Sequence, residues 1–345
     1  MSETVKNEQG QEPILRADHL TKHFEIKGKG QLHAVDDVSF SIMPNETLGL
    51  VGESGCGKST VGNVLMKLLP ATGGHIYYNG DDLLTMRGKK MKDSRRDLQM
   101  IFQDPYSSLN PRKTIKSILA EPFVVHHTCR GKELDDRILE LVHTVGLEPY
   151  ILDLFPHELD GGKRQMVGIA RSLALDPKFI VCDEPVSSLD VSVQATIINL
   201  LIDMQKKMGL SYLFISHDLS VVRHISNKVA VMYLGQMVEM ADTDVLFQNT
   251  LHPYSIALLS AVPKIDVEHK TKRIVLKGDV PSPLNPKPVC RFAPRCWMAQ
   301  EKCFKEEPEL REVEPGHCVR CHYWEESMKN AKALEKKMAA SAEMS

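Results

Sequence analysis

The stretch Gly52-Glu53-Ser54-Gly55-Cys56-Gly57-Lys58-Ser59 decides the fold of this chain. It matches the pattern G-x-x-x-x-G-K-[ST]. The apolar run 47–51 precedes it and reads as a buried strand, and residues 60–69 after it are apolar at helical spacing. A strand, a glycine-rich loop and a helix in this order predict a phosphate-binding loop. The alternative is a glycine-rich turn that binds no ligand.

Each residue type in the loop suits the binding of phosphate. Glycines let successive backbone N–H groups point inward at phosphate oxygens, and the helix N-terminus adds its positive end. We expect Lys58 to reach the β- and γ-phosphates and the Ser59 hydroxyl to bind Mg²⁺. The expected nucleotide contacts are Gly52, Glu53, Ser54, Gly55, Cys56, Gly57, Lys58, Ser59 and Thr60.

Composition limits the classes of function. The chain has 345 residues, 42% of them hydrophobic, which suits a globular protein with a sizeable core. A net charge of −2 and an aromatic content of 6% give no basic or stacking surface for nucleic acid. No apolar run approaches the ~20 residues that cross a bilayer, and segment 1–13 does not resemble a signal peptide. We therefore expect a cytoplasmic protein that meets a membrane only through a partner.

Two further apolar runs end in chemically active side chains. Residues 178–185 include Asp183-Glu184 at the end of a predicted strand, and residues 211–218 place His217 at the end of another. Ligands of open α/β sheets bind at the carboxyl ends of the strands. Asp183 is expected to hold the Mg²⁺ shell, Glu184 to act as general base on water, and His217 to contact the γ-phosphate. The alternatives are a solvated strand end and a structural histidine.

The remaining patterns predict two flanking units. Short alternating strands before the loop, with the hairpin 73–80, predict an antiparallel sheet beside the nucleotide site. Phe24 is our candidate for stacking on the base, and a core phenylalanine is the alternative. Helical periodicity over 111–155 predicts a helical insertion, and one helix is expected after the hairpin around 234–235, through about residue 262.

Together these motifs resemble the ATP-binding subunits of ABC transporters over residues 13–330. The landmarks are the loop 52–59, Gln103, the signature-like Leu-Asp-Gly-Gly-Lys-Arg-Gln at 159–165, Asp183-Glu184, the segment 187–190 and His217. The resemblance implies that Gln103, Glu184 and His217 are catalytic and that Ser59, Gln103 and Asp183 hold Mg²⁺. It also implies nucleotide contacts from Asp160, Gly161, Gly162 and Asp190.

Residues 102–111 and 290–296 are similar to the oligopeptide/dipeptide importer ATPases, whose close relatives carry nickel. The implied fold is an α/β P-loop NTPase cassette with a RecA-like core sheet, an antiparallel β subdomain and a helical subdomain at about 105–172. The implied ATP-binding domain covers 13–262, and a small cysteine-containing extension covers 263–330. Segments 1–12 and 331–345 are expected to be flexible tails.

The resemblance also implies partners. These are two transmembrane permease subunits, an extracytoplasmic substrate-binding protein and a second ATP-binding subunit, with this chain peripheral at the cytoplasmic face of the membrane. In such dimers ATP lies between the phosphate loop of one subunit and the signature of the other, so closure of the pair moves the permeases.

The signature of this chain departs from the Leu-Ser-Gly-Gly-Gln of the family, with Asp160 in place of serine and Lys163 in place of glutamine. An ionised carboxylate cannot donate a hydrogen bond to a phosphate and repels it. Either this chain pairs with a different ATPase and one composite site is weakened, or the amides of Gly161 and Gly162 suffice with Lys163. We favour the heterodimer.

Five of the eight cysteines fall in the C-terminal part of the chain. In a cytosolic protein such a group indicates a metal site rather than disulfides. The resemblance implies a [4Fe–4S] cluster on Cys290, Cys296, Cys303 and Cys321, with Cys318 supernumerary. Zn²⁺, His317 or His322 as substitute ligands, and reduced thiols without a metal are the alternatives.

The sequence thus predicts an ATPase that energises uptake of oligopeptides or dipeptides. Nickel or another small solute is an alternative cargo. A soluble ABC-type ATPase of DNA repair or translation, and a module that holds nucleotide without hydrolysing it, are alternatives of other classes. The chain carries no long coiled-coil insertion or tandem cassette, which disfavours the former, and Glu184 disfavours the latter.

Overall fold

The computed structural model describes residues 10–261, 274–276, 278 and 280–327. Residues 10–12 are exposed, whereas the rest of the expected N-terminal tail and the tail 331–345 lie outside the described residues.

The strands are β1 (Leu15–Ile26), β2 (Gly30–Ile42), β3 (Thr47–Val51), β4 (Gly73–Tyr78), β5 (Asp81–Asp82), β6 (Leu98–Ile101), β7 (Phe179–Asp183), β8 (Ser211–Ile215), β9 (Lys228–Tyr233), β10 (Gln236–Asp242), β11 (Arg311–Glu314) and β12 (His317–Val319). The α-helices are α1 (Lys58–Leu65), α2 (Gly88–Asp97), α3 (Pro105–Ser108), α4 (Ile115–His126), α5 (Lys132–Thr144), α6 (Gly161–Leu173), α7 (Val191–Met208), α8 (Leu219–Ile225), α9 (Thr243–Gln248) and α10 (Pro253–Ser260). Short 3₁₀ helices lie at Pro149–Asp153, Pro156–Glu158, Ala293–Arg295 and Glu301–Phe304.

The core sheet has the strand order β11-β12-β10-β9-β3-β8-β7-β6. Strands β9, β3, β8, β7 and β6 run parallel to one another, whereas β10 is antiparallel to β9. Every residue of β3, β7 and β8 is buried, which explains why these segments read as continuous apolar runs. Parallel strands end at the same edge of a sheet, so the phosphate loop, Asp183-Glu184 and His217 meet there.

The predicted antiparallel sheet is present, with the strand order β2-β1-β4-β5. The Asn-Gly hairpin also forms: Asn79 has φ 48° and Gly80 has φ 82°, as a type I′ turn requires. Strands β1 and β2 pair along most of their length. This sheet packs on α1. Its buried side chains belong to the same hydrophobic cluster as side chains of α1 and of the core strands.

The helical insertion is present as well. Helices α4, α5 and α6 pack on one another through Ile118, Val142 and Ile169, which are all buried. In the described ranges no helix combines the length and the hydrophobicity that a bilayer crossing needs.

The prediction of one helix after β10 is wrong, because two short helices, α9 and α10, occupy this segment. The carboxylate of Glu239 on β10 accepts the N–H groups of Leu251 at 2.7 Å and His252 at 3.0 Å. His252 then caps α10, whose first residue is Pro253. The Glu239 contact therefore stabilises the interruption between α9 and α10. Sequence periodicity does not reveal this contact because it is tertiary.

Candidate functional site

The phosphate loop turns tightly between β3 and α1. Gly57 has φ 110°, and a Cβ there would lie 2.0 Å from the carbonyl oxygen of Ala34 on β2, so only glycine fits. The Lys58 side chain is buried, and its Nζ donates to the carbonyls of Gly52 at 2.8 Å and Glu53 at 3.1 Å. The lysine thus lies inside the loop that the sequence predicts to surround phosphate.

Ser59 and Asp183 meet, although they are 124 residues apart. The hydroxyl of Ser59, in the first turn of α1, donates to Oδ1 of Asp183, the last residue of β7, at 2.8 Å. Burial raises the pKa of the Asp183 carboxyl, the Ser59 hydrogen bond opposes this, and the neighbouring Glu184 charge adds to it. A hydroxyl beside a buried carboxylate is the oxygen-rich pair that suits Mg²⁺.

Glu184 lies between the other two predicted catalytic residues. Gln103 Nε2 donates to Glu184 Oε2 at 2.9 Å, and His217 Nδ1 lies 3.4 Å from Glu184 Oε1. These side chains follow β6, β7 and β8, so the sheet edge brings all three together. Glu184 itself has φ 44°, a left-handed conformation that is uncommon outside glycine.

Phe24 lies on β1 and is partly exposed, with Lys22 Nζ 4.7 Å from its ring centroid. It belongs to neither hydrophobic core cluster of the described residues. The structure therefore disfavours the core-phenylalanine alternative, and the stacking role of Phe24 stays a prediction.

The signature segment begins α6 on the helical unit. Asp160 is the N-cap: its Oδ1 accepts the N–H of Lys163 at 2.8 Å, and Lys163 Nζ lies 3.2 Å from Oδ2. A Cβ on Gly162 would lie 2.7 Å from Val193 of α7. Asp190 is the exposed residue that precedes α7. Among the described residues, no hydrogen bond or ion pair joins Asp160–Gly162 or Asp190 to the phosphate loop of the same chain.

Sequence reasoning missed the contacts of Glu53. Its carboxylate pairs with Arg295, with Nη1 to Oε2 at 2.8 Å and Nη2 to Oε1 at 3.2 Å, and its backbone N–H donates to the Tyr254 hydroxyl at 2.8 Å. Both partners lie more than 200 residues away, so no local pattern indicates them. The C-terminal part of the chain thus reaches the phosphate loop.

A second contact joins the C-terminal part to β2. Arg291 binds Asp36, and Asp36 also bonds His23 Nε2 and His33 Nδ1, each at 3.0 Å. Burial favours a higher pKa for Asp36, but His33 and Arg291 together outweigh it and lower the pKa to about 2. Asp36 is therefore a firmly ionised anchor.

The four cysteines of the predicted metal site line one small cavity with His252, Phe292 and Met298, among other residues. These are Cys290, Cys296, Cys303 and Cys321. Cys318 does not line it and pairs with Met240 across β12 and β10. Burial raises the pKa of Cys290, raises that of Cys296 to about 11 and raises that of Cys321 to about 12. The cavity thus separates the four expected ligands from the supernumerary thiol.

The sheet edge at 52–59, 103, 183–184 and 217 is that of a P-loop nucleotide-hydrolysing enzyme. Two family models match the chain: ABC transporter, over residues 35–187, and oligopeptide/dipeptide transporter C-terminal region, over residues 238–303. The chain therefore belongs to the ABC transporter family, among the oligopeptide and dipeptide transport ATP-binding proteins, and is an ATP-binding ATPase.

Individual relatives agree with this assignment. The putative oligopeptide transport ATP-binding protein YkfD of Bacillus subtilis (strain 168) is 49% identical over 331 residues, covering 94% of this chain and 98% of the relative. The dipeptide transport ATP-binding protein DppF of Escherichia coli (strain K12) is 45% identical over 317 residues, covering 90% and 94%. The structure resembles the dimeric ATP-binding cassette MJ0796 bound to ADP and Pi, with a TM-score of 0.61 and 26% identity, over 66% of this chain and 98% of that one. It also resembles cbiO1 from Clostridium perfringens, part of the ABC transporter complex cbiONQ, with a TM-score of 0.60 and 25% identity, over 68% and 91%.

Proposed function

We propose that this chain is the ATP-hydrolysing subunit of an importer for short peptides. The likeness to oligopeptide and dipeptide transport proteins supports the cargo, and so does the match to the oligopeptide/dipeptide transporter C-terminal region. The observation that carries the enzymatic part is the Glu184 carboxylate, which Gln103 and His217 hold beside the Ser59–Asp183 pair.

Each side chain at the sheet edge has a step in the proposed hydrolysis. Lys58 binds the β- and γ-phosphates, and Glu184 accepts a proton from the attacking water. Gln103 and His217 orient Glu184 through the contacts they already make. Ser59, Gln103 and Asp183 would hold Mg²⁺, which would supply positive charge opposite the phosphate oxygens.

We further propose that ATP is enclosed between two different ATPase subunits. No hydrogen bond or ion pair joins the phosphate loop to the signature of its own chain in the described residues, so we assign the signature that encloses this ATP to a second subunit. In this chain Asp160 is an ionised N-cap tied to Lys163 and offers no hydroxyl donor. A partner with an unaltered signature would therefore make the site on this chain's phosphate loop the more active one.

The proposed assembly follows from that arrangement. Two permeases and an extracytoplasmic binding protein complete the importer, this chain is peripheral at the cytoplasmic face, and closure of the ATP sandwich moves the permeases. We assign residues 13–262 to the cassette, about 105–172 to its helical subdomain and 263–330 to the extension.

The four-cysteine cavity fits a metal group, and we propose a [4Fe–4S] cluster there. No three of the four sulfur atoms lie within 4.8 Å of one another. A single Zn²⁺ with Zn–S bonds of about 2.3 Å requires sulfur atoms about 3.8 Å apart, whereas a cubane binds each thiolate to a different iron and spaces them more widely. The N–H of Met298 donates to Cys296 Sγ at 3.4 Å, which partly offsets the burial that raises the pKa of this thiol.

The hydrolysis and pairing proposals are tested together in the assembled transporter. We expect Glu184→Gln to abolish most ATP turnover and peptide uptake, because the base of the more active site is lost. The equivalent change in the partner should cost less. Equal losses from the two changes would contradict the unequal pair, and failure of the chain to co-purify with permeases would contradict the transport role.

The cluster is tested in protein purified without oxygen. We expect broad visible absorption and about four iron atoms per chain, which is the iron content of one [4Fe–4S] cluster. Cys303→Ser should abolish both, and Cys318→Ser, outside the cavity, is the matched control that should abolish neither. Stoichiometric zinc without iron would reject the cluster.

A further inference from the structure

We propose that Arg295 is a positioning residue for ATP binding, which holds Glu53 and neutralises its charge within the phosphate loop. The inference rests on the proposed ATP contacts of residues 52–60. It assigns to the C-terminal part of the chain a direct effect on nucleotide affinity, exerted through one ion pair.

The geometry of the pair is that of a strong interaction. Two guanidinium nitrogens of Arg295 meet the two carboxylate oxygens of Glu53, at 2.8 and 3.2 Å, which is the bidentate arrangement. The Arg295 side chain is 8% exposed and that of Glu53 is 27% exposed. Arg295 also lies beside Tyr233, whose hydroxyl is 3.5 Å from Nη1. Solvent therefore screens this pair less than it screens a surface pair.

Three separate contacts fix Glu53. Arg295 holds its carboxylate, Tyr254 accepts its backbone N–H at 2.8 Å, and its carbonyl accepts from Lys58 Nζ at 3.1 Å. Tyr254 is fully buried and lies 4.6 Å from Tyr233, ring centroid to ring centroid. Two of these groups, the Arg295 guanidinium and the Tyr254 hydroxyl, lie outside the loop and hold its first turn from the C-terminal part of the chain.

The Arg295–Glu53 pair also affects the charge of the phosphate loop, in addition to fixing the position of Glu53. Glu53 is a carboxylate in a loop that binds a polyanion, and an uncompensated carboxylate there repels the phosphates. A bidentate arginine offsets that charge and binds both carboxylate oxygens. Loss of Arg295 should therefore weaken ATP binding chiefly through the Glu53 charge.

Other contacts anchor the same region without Arg295. Arg291 binds Asp36, Arg320 Nη2 lies 3.5 Å from Asp37, and the peptide of Asn285 donates to Gln31 at 2.8 Å. The C-terminal part should therefore stay docked when Arg295 is changed, and this separates the effect on affinity from an effect on folding.

The test is a double-mutant cycle on the purified full-length chain, titrated with a fluorescent ATP analogue and Mg²⁺. We expect Arg295→Gln to raise the Kd about ten-fold. In a Glu53→Gln background the same change should raise it less than about two-fold, because the repelling charge is gone. Arg295→Lys, which keeps the charge, should stay within about three-fold of wild type. Raising the salt concentration should shrink the Arg295→Gln effect.

Arg311→Gln is the matched control, because Arg311 is an exposed arginine of the same region, on β11. Equal losses in the two Glu53 backgrounds, or an Arg295→Lys loss as large as that of Arg295→Gln, would overturn the role of the charge. Wild-type chain that binds no analogue, or binds it equally well as Lys58→Ala, would instead overturn the proposed ATP contacts. Thermal unfolding of each variant shows whether it is folded, and Arg295→Lys decides the question if the glutamine variant is not.

Discussion

Asp160 stabilises the start of α6 but is poorly suited to contact phosphate. As the N-cap of α6 it satisfies the N–H of Lys163, and its second oxygen pairs with the Lys163 ammonium. The hydrogen bond from that N–H is the main reason that the pKa of the Asp160 carboxyl lies below its usual range, so the side chain is ionised at neutral pH. A good cap for the helix is thus a poor donor toward phosphate.

A serine at this position would cap α6 as well and would also offer a hydroxyl donor to phosphate. We expect Asp160→Ser to raise ATP turnover of the assembled transporter about five-fold at the composite site that uses this signature, since the repelling charge is removed. Lys163→Gln should act in the opposite direction, because it leaves Asp160 without its counter-charge. Turnover of the assembled complex measures both, and changes of the same sign would contradict the electrostatic explanation.

The meeting of these side chains at the sheet edge could be predicted from the sequence because the signal is local. Asp183 and His217 each follow a continuous apolar run, and the parallel sheet brings such ends together. Glu53 could be assigned to the phosphate loop for the same reason. Its partner Arg295 could not be assigned, because 242 residues separate them and no periodicity spans that distance.

Helix α10 illustrates a structural element whose beginning depends on tertiary contacts. His252 accepts the N–H of Tyr254 at 3.1 Å through Nδ1, and its own N–H is bound by Glu239 on β10. Burial lowers the pKa of His252 from 6.5 to about 3, so the imidazole is neutral in the folded chain. In the unfolded chain it regains a proton near pH 6.5.

The sign of the pH effect follows directly. Because the unfolded state binds the additional proton, the stability contributed by neutral His252 is complete above about pH 6.5 and is lost as the pH falls toward about 3. Asparagine keeps an N-cap acceptor and does not titrate. Between pH 7.5 and 5 we expect wild type to lose about 2 kcal/mol more unfolding free energy than His252→Asn. Urea unfolding at the two pH values measures this, and parallel losses would show that His252 does not titrate on unfolding.

At the scale of the whole molecule, the C-terminal part completes the core sheet. Strand β12 pairs with β10, and β11 pairs with β12, so the sheet ends in strands that begin only at Arg311, well beyond the proposed cassette boundary at residue 262. His317 on β12 bonds the fully buried Glu239 at 2.9 Å. Strands of three and four residues carry too little periodicity to be predicted, which is why the sequence indicated an extension and not its place in the sheet.

A chain cut after residue 262 should therefore fold poorly. The cut would expose β10 as an open edge and leave Glu239 without His317, and both changes favour aggregation or unfolding. We expect size-exclusion chromatography to show aggregates and Tm to fall. A chain cut after residue 327 keeps both strands and is the control, and a monodisperse, equally stable 262-residue chain would contradict the structural role of β11 and β12.

The paired strands β10 and β12 also set a rule for exchanging modules between transporters. In a chimaera that joins a foreign cassette to this C-terminal part, the two parts meet within one hydrogen-bonded sheet, where β10 pairs with β12. The donor must bring compatible residues at the positions of Glu239, Asp36 and Glu53, because these receive His317, Arg291 and Arg295. The two parts should therefore be exchanged together as one unit, even though separate family models describe them.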